Sequence, residues 1–79
     1  MTSVVLSRTA QWDASMTSDA NFNVDRYAMV GNRKFRVYNR FNRGAWFVEE
    51  IDSKGNHIQL IGFRFKLADV RQLIAKAVA

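Results

Sequence analysis

The sequence predicts an α+β domain: a twisted antiparallel sheet of four or five strands, laid out as a meander, with one C-terminal helix packed on its apolar face. Three observations predict it. Residues 33–41 alternate apolar and polar with a period of two, residues 52–56 read Asp-Ser-Lys-Gly-Asn, a strong turn signal, and after Lys66 the apolar period lengthens to that of a helix.

The chain opens with a short strand expected near Ser3–Thr9. Residues 11–21 are rich in Ser, Asp, Ala and Asn without an apolar period and read as a loop or mobile arm. From Phe22 the pattern turns β-like through Phe22, Val24, Tyr27, Met29 and Val30, and stops at Gly31-Asn32. Along Arg33–Phe41, Phe35, Val37 and Phe41 point one way with Asn39, and Lys34, Arg36, Tyr38 and Arg40 the other, because successive strand side chains face opposite sides. The first set is assigned to the core and the second to solvent. Asn42-Arg43-Gly44 supplies a turn, Ala45–Asp52 the return strand, and Asp52–Asn56 a type I turn closed by a glycine in the left-handed region.

In the last strand, His57–Lys66, Ile58 and Leu60 share one parity and Ile61, Phe63 and Phe65 the other. A β-bulge or bend at Gly62 accounts for the switch. Val70, Leu73, Ile74, Ala77 and Val78 then fall on one helical stripe, with Asp69 in the first turn and Lys76 in the last, where they complement the helix dipole.

With 79 residues there is room for one domain, 1–79, of a size at which a second copy often supplies missing burial, so a homodimer is expected. An apolar fraction of 48% is too high for a disordered chain. The absence of cysteine excludes disulfides and thiolate metal sites and fits a reducing compartment: cytoplasm, nucleoid or nucleus rather than secretion. Only three apolar residues run together near the start, Val4-Val5-Leu6, which predicts neither a secretory leader nor a membrane span. The net charge of +5 is uneven: residues 1–30 set two cations against three acids, residues 31–79 ten cations against four. Such a field commonly meets a polyanion, through release of condensed counterions.

Catalysis finds little support. His57 follows a turn with no partner at a motif spacing, and reads as an ordinary surface residue. Glu49 and Glu50 are strand neighbours on opposite faces, a poor acid/base pair but well placed to meet arginines across the strands. No phosphate loop, nucleophile motif, metal-ligand spacing or cofactor signature is present, and no enzyme is expected. What stands out is Arg33, Lys34, Arg36, Tyr38, Arg40 and Arg43, five cations and an aromatic within eleven residues that hold no acid. Single-strand binders join a cationic groove to aromatic platforms. If Trp46 shares a face with Tyr38 across the hairpin, both stack on bases, and Arg64 and Lys66 extend the cationic stripe. Taken singly, Trp46, Phe47, Phe63 and Phe65 read as core, as aromatics dominate small cores. The basic run alone also fits a solvated sheet face or a guarded edge; that device favours lysine, and four of these five cations are arginine, the better phosphate fork.

Two resemblances follow from these residues. Met29-Val30-Gly31-Asn32-Arg33-Lys34-Phe35-Arg36-Val37, Arg40-Phe41-Asn42-Arg43-Gly44 and Ile61-Gly62-Phe63-Arg64-Phe65-Lys66 through Ile74 resemble the positive-cofactor-four family of transcriptional coactivators and its bacterial and viral single-strand-binding relatives. The resemblance spans about residues 27–78. It implies a curved four-stranded sheet backed by a helix, a dimer formed largely through the helices, and single-stranded DNA held by the strand-turn-strand arms, with Arg40 and Arg43 at the backbone-contacting positions. Phe41 stands one place before that family's stacking aromatic, Asn42 occupies its slot, and Ala45 replaces a usual lysine. Arg43-Gly44-Ala45-Trp46-Phe47-Val48 with Ile61-Gly62-Phe63 is also similar to the three-stranded DNA-binding domains of plant ethylene-response factors and phage integrase arm-binding domains. That likeness implies Arg36, Arg40, Arg43 and Trp46 on duplex DNA.

The expectation is therefore a nucleic-acid-binding module, single-stranded DNA favoured. Arg33, Lys34, Arg36, Arg40 and Arg43 are expected on phosphates and Tyr38 and Trp46 on bases. Five neutralised phosphates give a log–log salt slope of about −3.5 on single strands. The alternatives are a duplex-binding sheet or a protein-interaction module, such as a small viral inhibitor that docks on an acidic host protein or pairs its sheet edge with a partner strand.

Overall fold

A computed structural model describes residues 4–10, 12, 24–39 and 44–79. Four antiparallel strands follow one another in the sheet as they do in the chain: β1 (Val24–Val30), β2 (Arg33–Tyr38), β3 (Trp46–Ile51) and β4 (His57–Arg64), ending in helix α1 (Leu67–Val78). This is the α+β meander that the alternation predicts. Strand β1 begins at Val24, and Phe22 lies outside the described residues, as do Arg40, Phe41, Asn42, Arg43 and, apart from Trp12, the expected arm at 11–21. The strand expected at 3–9 reduces, among the described residues, to one antiparallel bridge: Ser7 and Tyr27 exchange backbone hydrogen bonds of 2.8 and 2.6 Å.

Turn chemistry sets the hairpins. In the Asp52–Asn56 turn the Gly55 N–H donates to the Asp52 carbonyl at 3.0 Å, the Asp52 N–H donates to the Asn56 carbonyl at 3.0 Å, and Gly55 takes φ +86°. The Asp52 side chain accepts from the Lys54 and Asn56 N–H groups, both at 2.9 Å. These bonds, that from the Asn56 backbone first, hold the Asp52 carboxyl below its ordinary pKa against a smaller opposing effect of desolvation.

Residues opposite one another in an antiparallel pair share a face. Phe35 pairs with Glu50 and Val37 with Val48, whereas Arg36 pairs with Glu49 and Tyr38 with Phe47. Phe35, Val37 and Val48 are fully buried and share one core with Val70, Leu73 and Ile74 of α1, so the first set faces the helix. The expected helical stripe supplies those three contacts. Pairing of β3 with β4 slips between Val48 and Glu49: Val48 meets Gly62 and Glu49 meets Leu60, which leaves Ile61 as the extra residue. This is the irregularity that the parity switch requires. Gly62 sits there at φ +153°, and a Cβ on it would stand 3.5 Å from both Leu73 methyl carbons. A second slip separates Glu50 from Ile51.

Among the described residues no helix is long and apolar enough to cross a membrane.

Candidate nucleic-acid interface

Lys34, Arg36 and Tyr38 do share the face turned away from α1, as alternation demands, but the expectation that all three project into solvent is overturned at Arg36 and Tyr38. Arg36 is 2% exposed and Tyr38 8%. Arg36 lies between Tyr27 of β1 and Glu49 of β3. Its Nε donates to Glu49 Oε1 and its Nη1 to the Gly55 carbonyl at 3.1 Å. The other Glu49 oxygen meets His57 Nδ1 at 2.5 Å. The guanidinium thus ties β2, β3 and the 52–56 turn together. A buried charge is retained only when paired and hydrogen-bonded, and this one has its partners within the fold.

Arg33 is engaged on the other face. Its Nε and Nη2 form a fork on Glu50 at 3.0 and 2.8 Å, and its Nη1 donates to the Ala77 carbonyl of α1 at 2.7 Å. The Arg33 hydrogen bond, aided by one from Gln59 at 2.8 Å, holds the Glu50 carboxyl below its ordinary pKa despite burial, and Glu50 in turn raises that of Arg33. Glu49 and Glu50, neighbours sent to opposite faces, each meet an arginine of β2, which is the cross-strand pairing expected of them. Lys34 is half-buried, its Nζ on the Asn32 carbonyl at 3.2 Å.

The expected pairing of Tyr38 with Trp46 is also corrected. Phe47 lies opposite Tyr38, with ring centroids 5.8 Å apart and an interplanar angle of 20°. Trp46, one residue earlier, faces α1 and packs against the core. Arg64 lies opposite Trp46 and therefore does not extend a stripe from Arg36. Its Nη1 folds back onto the Phe63 carbonyl at 2.7 Å, and Lys66 is exposed just before α1.

The exposed surface lies instead on β4 and just beyond it. Rings run Tyr38–Phe47–Phe63–Phe65 with successive centroids 5.8, 5.7 and 5.7 Å apart. Exposure rises along the series to 46% at Phe63 and 71% at Phe65. Both were expected in the core; the shift at Ile61 and the place of β4 at the sheet edge leave them uncovered. Ile58 and Leu60 on the same strand are more than half exposed. From Ser53 to Ala68 the chain holds Lys54, Arg64 and Lys66 and no acid. The Phe-Arg-Phe-Lys alternation carries this surface in the sequence, masked there by the general tendency of phenylalanine to be buried.

Among the described residues no three His, Cys, Asp or Glu gather where a metal ion could be held. Comparison of the chain with protein-family models, curated proteins and solved structures finds no match.

Proposed function

We propose that this chain is a non-enzymatic binding module for single-stranded nucleic acid whose contact surface is the C-terminal end of β4 rather than β2. One observation carries the reading: two exposed rings, Phe63 and Phe65, interleave with two cations, Arg64 and Lys66, in a stretch without acids. Base stacking on aromatic side chains is tolerant of sequence, and nearby cations neutralise the backbone. The resemblance to single-strand-binding coactivators belongs to this proposal as well, with its arginines at 40 and 43 outside the described residues.

A duplex-binding sheet is less well supported, because Arg36 and Trp46, two of the residues it needs on the DNA, are turned to internal partners. Strand addition by a protein partner is disfavoured by the two register slips in β4, since bulges disrupt the regular ladder that an added strand requires. The test is a titration of fluorescent single-stranded and duplex oligonucleotides at two ionic strengths. Tighter, salt-dependent binding of the single strand is expected; equal affinity for the duplex, or no binding of either at low salt, contradicts the proposal.

A further inference from the structure

Resting on the single-strand reading, a more specific arrangement follows from how β4 ends. β4 is one edge of the sheet, and the opposite edge, β1, is partly covered by the Ser7 bridge. Phe63 lies beside Phe47 on the face away from α1, and Phe65 packs against Phe63 with ring planes at 82°. Arg64 lies opposite Trp46 on the helix-side face. Lys66 follows with extended backbone, φ −123° and ψ 136°. Rings and cations therefore alternate about this edge.

We infer that a single strand straddles this edge, with two consecutive bases on Phe63 and Phe65 and the adjoining phosphates on Arg64 and Lys66. Two near-perpendicular rings cannot both be stacked upon by bases that remain stacked on each other, so the bound strand is splayed at this step. A duplex, whose bases stay paired and stacked, does not fit. Charge complementarity favours a polyanion, because Arg64 and Lys66 flank the two rings and the nearest acid along the chain, Asp69, comes only after them in the first turn of α1. The slips opposite Leu60–Gly62 and Gln59–His57 leave little regular edge for a peptide strand, so side chains rather than backbone must hold the ligand.

The experiment measures binding of a labelled ten-nucleotide oligo(dT), with oligoglutamate as competitor, across a salt series. Phe65→Ala is expected to weaken binding about 5- to 150-fold, the range of one stacked base, and Phe65→Trp to retain it. Arg64→Gln and Lys66→Gln each flatten the salt slope by about 0.7, whereas Lys54→Gln, at the far end of the strand, leaves it unchanged. Phe65 is too exposed for its truncation to endanger folding, and a thermal melt of each variant checks this. If the wild type binds oligo(dT) but Phe65→Ala binds equally well, or Lys54→Gln flattens the slope as much as Arg64→Gln, the edge arrangement falls and the single-strand reading stands. Absence of oligo(dT) binding at low salt overturns both, and competition by oligoglutamate that also depends on Phe65 replaces nucleic acid with an acidic peptide as the occupant.

Discussion

Arg33 and Glu50, seventeen positions apart, face each other as a two-pronged ion pair whose third guanidinium nitrogen reaches the Ala77 carbonyl at the end of α1. One side chain thereby fastens β2 to β3 and both to the helix C-terminus, where positive charge also complements the dipole. The most conspicuous cation run in the sequence is thus spent, at Arg33 and Arg36, on holding the sheet together.

The pair makes stability depend on pH in a definite direction. The Glu50 carboxyl is held below its ordinary pKa by the Arg33 hydrogen bond, and that of Asp52 by the turn amides. A group whose folded-state pKa is depressed contributes stability that is fully present above its unfolded value and is lost as pH falls through the folded one. Urea midpoints are therefore expected to hold steady near neutrality and to drop in the acid range below the unfolded carboxylate values. Glu50→Gln should lower the neutral midpoint and flatten the acid slope. An unchanged slope in that variant contradicts the assignment.

Arg36 and Glu49 predict a larger loss. Removing one partner of a buried pair strands the other, at a cost of about 3–5 kcal/mol, so Arg36→Ala and Glu49→Gln should each lower stability strongly. Arg36→Ala combined with Glu49→Gln should cost much less than the sum of the two single changes, because no uncompensated charge remains. Chemical denaturation of the three variants checks this; additive losses show that the pair is not coupled.

Much of this fold is legible in the sequence, because its signals are local. The period of two along residues 33–38, the Asp-Ser-Lys-Gly-Asn turn and the helical stripe from Val70 to Val78 each reflect backbone geometry within a few residues. Even the irregularity near Gly62 shows as a parity switch. Burial of the second sheet face is not local. Alternation sends Arg36 and Tyr38 to the same side but cannot say that Glu49 and Phe47 wait there, since a one-residue change of register exchanges Phe47 for Trp46 opposite Tyr38. For the same reason Phe63 and Phe65 look like core until the strand order puts them at an edge.

Gly62 offers a separate check on that edge. With φ at +153°, Gly62→Ala places a side chain on a backbone conformation that L residues rarely adopt, while its Cβ would meet the Leu73 methyls only at an ordinary contact distance of 3.5 Å. A loss of about 1–3 kcal/mol is expected, typical of a non-glycine residue forced into a sparse backbone region. Near-neutral stability by thermal melting would show that the irregularity relaxes without cost.

In the proposed binding mode the ligand surface is the end of β4 and not β2. Backbone amide NMR during titration with oligo(dT) tests it most directly. Progressive shifts concentrated at residues 60–66 are expected, with the amides of Arg33–Tyr38 little affected. Shifts concentrated on Arg33–Tyr38, with Phe63 to Lys66 unmoved, would contradict it.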